Sequence, residues 1–520
     1  MDIEKTDKTW DMIVIGGGIT GAGVLREAVR MGLKTLLLEK NDYAWGTSSR
    51  SSKLVHGGLR YLKQGRIHLT RESVHQRQRL LREAPGLVDE IGFLMPIYKE
   101  KGPGRISMTA GLMLYDAMAG KRYHSYHRAD AFRKMAPGIK TRGLVGGFRF
   151  MDAQTDDARL VLRLIEESTA NGGAALNYTA VTGITRNGNG RVTGVTAEDA
   201  ETGTCRVFSA PAVVNATGAW AESLHPVHST DMHLRPLRGS HLVLPFQRLP
   251  LPAAVTLMHP DDGRPLFVIP WENALILGTT DVDHESGLNT EIIATRDEAH
   301  YMIECLGAYF PASGITLEDC VSSFAGIRPV LTRKENIDPS KESREHAIWS
   351  DNGLVTITGG KLTTFRVLAQ DALKAASRFL PQKPRLRNNS PAFAAITPPA
   401  PSSLRGLPGD AVRRLYGRYG ASAGQVISNA SPEDLAFIPG THTLWAELPW
   451  AAANGQVRHL TDLLLRRVRM GMLLSNGGVM HFERIRYLCA PHLPWNDERW
   501  RSEMKIYEDY WQYALSVPAA

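Results

Sequence analysis

The hydrophobic pattern changes period twice near the start of the chain. Residues 12–15, MIVI, form a continuous apolar run, as expected of a strand buried on both faces of a parallel sheet. Glycines follow at 16, 17, 18 and 21. Val24, Leu25, Ala28 and Val29 then recur at helical spacing, and Gly32 marks the end of that helix. The run KTLLLE that follows reads as a second buried strand, closing a strand, turn, helix, strand unit.

Period-two alternation returns over residues 176–209 around NGNG, which predicts a hairpin. HLVLPF, PLFVIPW and ALILGTTDV predict successive strands of an antiparallel sheet. PAVVNATGAW (211–220) predicts a buried strand ending at a glycine turn. GLVTITGGKLTTFRVLAQDAL (353–373) predicts strand, double glycine, helix. The expected fold is α/β, a Rossmann-like nucleotide domain over 1–380 assembled from discontinuous segments. A substrate domain with an antiparallel sheet is inserted at about 75–150 and 225–345. Pro, Ser and Asn dominate 381–409, read as a linker, and helical patterns fill 410–520.

With 520 residues and 43% apolar content, the chain is long enough for two or three globular domains. A net charge of +8 points to an anionic partner: nucleic acid, an acidic membrane or a phosphorylated substrate. Nucleic acid is not expected, because no basic patch is interleaved with base-stacking aromatics. Cys205, Cys305, Cys320 and Cys489 lack metal-type spacing and read as reduced thiols of a cytosolic protein. No secretory signal or bilayer-spanning run is read, so membrane contact is expected to be peripheral or monotopic. Residues 104–124 offer a surface for it. Ile106, Met108, Leu112, Met113, Leu114, Tyr115 and Met118 crowd one helix edged by Lys99, Lys101, Arg105, Lys121 and Arg122. That pattern fits a helix in the headgroup region of an anionic leaflet, or a core helix with snorkelling ends.

Gly16, Gly18 and Gly21 form G-x-G-x-x-G between strand and helix, with Glu39 ending the second strand. That is a dinucleotide site: a tight turn, close approach of pyrophosphate, a helix N-terminus, and a carboxylate for the ribose hydroxyls. FAD is favoured over NAD for three reasons. SSKLVHGGLRYLKQG (51–65) lies where a flavin would leave the nucleotide unit. Ala216-Thr217-Gly218 gives a second close backbone approach. The helix after Gly359-Gly360, with Lys361 beside it, can oppose negative charge on a reduced flavin. His56 and His241 are both candidates for a general base, since imidazole titrates near working pH. Thr279, Thr280 and Asp281 are placed to contact the flavin, orient a base, or merely cap a strand end.

IVIGGGITGAG, TSSRSSKLVHGGLRYL, DDARLVL, VNATGAW, RGSHLVLP, FVIPWENALILGTTDVD, AGIRPV and TGGKLTTFR occur in that order. In this the chain resembles FAD-dependent glycerol-3-phosphate dehydrogenases of the quinone-linked, aerobic bacterial type, over about residues 10–375 and less clearly beyond. The resemblance implies a substrate domain of the D-amino-acid-oxidase type and oxidation of sn-glycerol 3-phosphate to dihydroxyacetone phosphate. It further implies electron delivery to membrane quinone from the cytoplasmic face of the inner membrane, and a possible homodimer. It puts substrate phosphate on Arg60, Tyr61, Arg328, Arg344 and Lys361. Flavin contacts fall on Thr47, Ser48, Ser52, Lys53, His56, Gly57 and Gly58, then on Ala216, Thr217 and Gly218. Gly359, Gly360, Lys361, Leu362 and Thr363 complete them, and Gly57 and Gly58 are expected to let backbone pass beside the ring. Two features depart from the pattern: Arg50 replaces a small residue, and 331–346 is more basic. They leave open a larger anionic substrate. A flavin oxidase using oxygen on another alcohol, hydroxy acid or amine is the alternative reading.

Overall fold

The computed structural model describes residues 3–63, 65–99, 104–225, 233–332, 345–380, 390–397 and 404–518. Its nucleotide-binding layer is a six-stranded sheet in the order 346–351, 354–359, 213–215, 12–15, 35–38, 174–176. All neighbours are parallel except the first pair. Alternate residues explain the unbroken apolar runs. Met12, Val14 and Leu37 pack under the helices Ile19–Arg30, Asp157–Thr169 and Phe365–Ala376. Ile13, Ile15, Leu36 and Leu38 pack against a separate three-stranded sheet of Thr179–Arg186, Val192–Asp199 and Cys205–Ser209. A strand covered on both faces has no solvent side to mark with polar residues.

A nine-stranded sheet takes its strands from 88–155 and 233–332. Its long strand His233–Pro245 pairs along one edge with Ser322–Thr332 and along the other with Ala274–Gly278 and Val282–Asp283. That register fixes the site, because it sets His241 opposite Phe324 and Gly278, and Leu237 opposite Arg328.

The C-terminal helices, ending in Asp497–Ala514, pack on this sheet. Trp445, Trp500, Tyr507 and Trp511 share one buried cluster with Phe93, Phe150, Trp271 and Phe324. Arg466 and Arg467 of that region both pair with the buried Asp42 of the nucleotide domain. Part of the expected linker is not a spacer. Ala392 and Phe393 are buried in the core of the nucleotide domain, and the Ala392 carbonyl accepts from Arg26 Nε at 2.8 Å.

The helix Arg105–Ala119 divides its apolar residues between two faces. Met108, Leu112 and Tyr115 are buried, whereas Ile106, Met113 and Leu114 are exposed. Among the described residues, no helix is long and apolar enough to cross a membrane.

Candidate active site

One cavity of about 1480 Å³ runs from Glu39 in the nucleotide layer to His241 and Arg328 on the nine-stranded sheet. At its nucleotide end the glycines are there for close approach. Gly16 has φ +108°, and a Cβ there would lie 2.7 Å from the Ala216 carbonyl oxygen. A Cβ on Gly21 would lie 1.9 Å from the Gly16 carbonyl oxygen, so Gly21 sets the fit between helix and turn and stands outside the cavity wall. Ser48 Oγ accepts from the Ile19 N–H at 2.9 Å, at the start of a twelve-residue helix with no acid in its first turn. Such a terminus suits a phosphate oxygen. The half-buried Glu39 carboxylate lines the cavity and accepts from Gly17 and Asn41 N–H groups at 2.6 and 2.9 Å, which fixes it where a ribose diol would donate to its remaining lone pairs. Burial raises its pKa, against the pull of those hydrogen bonds.

Further along, Thr47, Ser52, His56 and Gly58 line one wall. Ala216, Thr217 and Gly218 line a second, and Gly359 to Thr363 a third. Thr47 Oγ1 donates to the Ile327 carbonyl, and Thr363 Oγ1 to the His56 carbonyl at 3.3 Å. A short 3₁₀ turn, Leu362–Thr364, intervenes between Gly360 and the following helix. This lining fits FAD, whose nucleotide half needs the glycine turn and carboxylate and whose ring needs the glycine-backed walls.

At the other end, Arg328 is fixed by the loop after Gly278. It donates to Thr279 Oγ1 at 2.7 Å and to the Thr280 carbonyl and Asp281 Oδ1 at 3.1 Å each. Thr280 is itself held, accepting from Ser240 N–H at 2.8 Å and donating to Glu298 at 2.7 Å. Thr279, Thr280 and Asp281 therefore anchor an arginine. Gly239 makes room for it: a Cβ there would lie 2.2 Å from the Arg328 guanidinium. Sequence reading overlooked Gly239, because only strand register brings the two together.

His241 is buried, stacked on Phe324 with centroids 4.6 Å apart, and its Nε2 lies 2.8 Å from Ser52 Oγ. Its Nδ1 has no hydrogen-bond partner among the described residues. Burial first, then the charges of Arg328 and Lys53, hold its pKa well below the usual histidine value. The imidazole is thus neutral at neutral pH and able to accept a proton.

Lys361 donates to Ser73 Oγ at 2.9 Å, and its ammonium sits 3.8 Å from the centroid of the Tyr61 ring. Gly58, with φ +79°, leaves space for that ring, since a Cβ would lie 2.3 Å from it.

Other expectations need correction. Gly57 does not border the cavity: a Cβ there would strike Tyr115 Oη at 2.2 Å and Val74 at 2.6 Å, and its N–H donates to Tyr115 and Asp152. Lys53 does not reach the cofactor space. Its side chain is fully buried and pairs with Asp157 at 2.8 Å. Arg50 lines the cavity but pairs with Glu291 and donates to the Ile292 carbonyl and Tyr510 Oη at 3.1 Å each. Its charge is thereby committed to protein partners and does not argue for a larger anion. Arg60 rides on the short helix Leu59–Lys63, but its side chain lies outside the described residues, as do Arg344, Lys101 and most of the basic 331–346 segment.

Residues 11–366 match the family of FAD dependent oxidoreductases, and residues 355–500 match the C-terminal domain of alpha-glycerophosphate oxidase. The chain is 36% identical over 506 residues to "Glycerol-3-phosphate dehydrogenase 2" of Mycobacterium tuberculosis, covering 94% of this chain and 85% of the relative. It is 33% identical over 483 residues to "Aerobic glycerol-3-phosphate dehydrogenase" of Staphylococcus aureus, covering 88% and 86%. The crystal structure of the glycerol-3-phosphate dehydrogenase from Bacillus halodurans complexed with FAD superposes with a TM-score of 0.77. It is 27% identical and covers 98% of this chain and 96% of that one. An L-alpha-glycerophosphate oxidase from Mycoplasma pneumoniae shares the fold, with a TM-score of 0.58 at 20% identity. With its glycine turn, its oriented carboxylate and its cationic far end, the chain belongs to the FAD dependent oxidoreductase family and, within it, to the FAD-dependent glycerol-3-phosphate dehydrogenases.

Proposed function

We propose that this chain carries out its family's reaction, oxidation of sn-glycerol 3-phosphate to dihydroxyacetone phosphate, and hands the electrons to a quinone held in a membrane. One observation carries the reading: Arg328, Lys361, Tyr61 and the buried His241 all line the cavity that also holds the nucleotide glycines Gly16 and Gly18. FAD, when bound, supplies the acceptor for the hydride leaving C2. Arg328, its guanidinium fixed by Thr279 and Asp281, is oriented to bind a phosphate through forked hydrogen bonds. Lys361 adds a second cation from across the cavity. His241 takes the proton of the C2 hydroxyl at Nε2 or Nδ1, and Ser52 Oγ holds the imidazole in place. The inserted substrate domain near 75–150 and 225–345 belongs to the same proposal, with the nine-stranded sheet as its platform.

The test is an anaerobic titration. sn-Glycerol 3-phosphate should bleach the flavin absorbance and glycerol should not. Arg328→Ala should raise the KM for the phosphate ester about 100-fold, on the order of 3 kcal/mol, with flavin content unchanged. Loss of flavin with unchanged substrate affinity would overturn that role. Re-oxidation of the bleached protein by a short-chain quinone faster than by oxygen supports the dehydrogenase over the oxidase.

A further inference from the structure

Lys53 lies outside the cavity yet touches the site through one ring. Its ammonium is 4.8 Å from the centroid of Phe324, the same ring on which His241 stacks at 4.6 Å. That ammonium donates to Asp157 Oδ2 at 2.8 Å and to the Ser49 carbonyl at 2.6 Å. Asp157 Oδ2 also accepts from the Ser51 N–H at 3.0 Å and the Ser51 hydroxyl at 2.7 Å. These bonds close the turn that carries Ser52 to His241. Lys53 itself sits at φ +59° in that turn. The C-terminal domain completes the knot. Arg469 donates to the Ser49 carbonyl at 2.9 Å and lies 3.4 Å from Asp157 Oδ1, while the adjacent Asp156 pairs with Arg418 at 2.9 Å. The charged groups acting on His241 are Arg328, from the cavity side, and Lys53.

We propose that Lys53 is a positioning residue for the proton acceptor. Clamped by Asp157 and buried against Phe324, it fixes the 49–53 turn so that Ser52 faces Nε2 and sets a positive charge behind the ring on which His241 stacks. The inference rests on His241 as that acceptor. Two directions support it. Burial, Arg328 and then Lys53 all lower the His241 pKa. Burial pushes Lys53 down to about 7 against the opposing pull of Asp157. In the acid range where His241 titrates, Lys53 therefore carries its charge. A buried charge screened by protein instead of water acts at longer range than one on the surface.

The experiment measures flavin reduction by sn-glycerol 3-phosphate under anaerobic stopped flow from pH 4.5 to 9, in the full-length protein with FAD bound. The same variants are labelled with ¹³C-histidine and titrated by NMR, with the His241 signal assigned from its loss in His241→Asn. Lys53→Met removes the ammonium and leaves Asp157 charged, so the acid limb of the rate profile and the His241 titration both move up, by about one pH unit. Lys53→Arg keeps both at their wild-type positions. Lys53→Met that keeps its flavin but leaves both midpoints in place overturns the inference, as does Lys53→Arg shifting as far as Lys53→Met. Where Lys53→Met fails to retain flavin, Lys53→Gln, which removes the charge and keeps a donor for Asp157, decides: midpoints that stay in place overturn it. A His241→Asn variant with the wild-type rate and profile sinks the assignment of the acceptor instead, and is distinguished by that.

Discussion

Arg328 pairs with Leu237 in the sheet, and its guanidinium runs along the strand to cover Gly239. The two residues lie far apart in sequence, and only the antiparallel register joins them. Gly239→Ala places a methyl 2.2 Å from the guanidinium. The arginine must leave Thr279 and Asp281, and the KM for sn-glycerol 3-phosphate should rise about 10-fold, roughly 1.4 kcal/mol, with flavin content and Tm near wild type. An unchanged KM would mean that the guanidinium binds substrate from another position. The same reasoning explains which site residues were legible. Gly16 and Gly18 share one local turn whose spacing announces them, although what presses on Gly16, the Ala216 carbonyl, lies far along the chain. Lys53 and Gly57 share a loop with true cavity residues, but their partners, Asp157 and Tyr115, lie far along the chain. A motif places a residue near a site; it does not say which way its side chain turns.

Elements whose periodicity reflects their own burial were readable in advance, such as Met12–Ile15 and the hairpin over 179–199. What periodicity omits is the ion-pair seams between elements. His459 is the clearest case. It lies between Glu201 of the three-stranded sheet's outer loop and Glu503 of the last helix, at 3.2 and 3.0 Å. Burial disfavours its charged form, but the two carboxylates prevail and lift its pKa to about 10. A raised folded-state pKa contributes stability that is complete below the unfolded value near 6.5 and is lost as pH climbs toward 10. His459→Gln should therefore lower Tm most at pH 6, and the gap from wild type should narrow steadily up to pH 10. With the side chain 26% exposed, solvent screening holds the effect at pH 6 to about 1–3 kcal/mol. A gap that stays constant with pH would show that the imidazole contributes by packing alone.

For the whole molecule, the positive balance of the chain has two destinations. Part is internal: Arg466 and Arg467 meet at Asp42, whose carboxyl they hold well below the usual range despite its burial. Part lies outside, around the helix Arg105–Ala119. Ile106 is 87% exposed and Met113 58%, one helical repeat of seven apart on the same face, with the exposed Leu114 beside them. Lys99, Arg105, Lys121 and Arg122 are exposed around that face. The opposite face carries Met108, which lines the cavity, and the buried Leu112. One helix thus offers an apolar, cation-rimmed surface to the outside and a wall of the active site to the inside, the arrangement a lipid-borne electron acceptor would need. Other large apolar side chains are exposed on the C-terminal helices, Met480 and Tyr487 among them, and supply the control. Ile106→Ser combined with Met113→Ser removes two side chains worth about 1.5–3 kcal/mol each when fully buried in an apolar phase. Partial insertion should still leave at least a 10-fold loss of cosedimentation with vesicles containing phosphatidylglycerol. Met480→Ser with Tyr487→Ser should bind like wild type. Binding should weaken with salt, because the cationic rim is exposed and screened. Turnover with a soluble dye should be unchanged in the 106/113 variant, whereas turnover with a long-chain quinone in vesicles should fall. If the 480/487 pair abolishes binding and the 106/113 pair does not, the membrane meets the C-terminal helices, and the acceptor must reach the cavity by a path that avoids this helix.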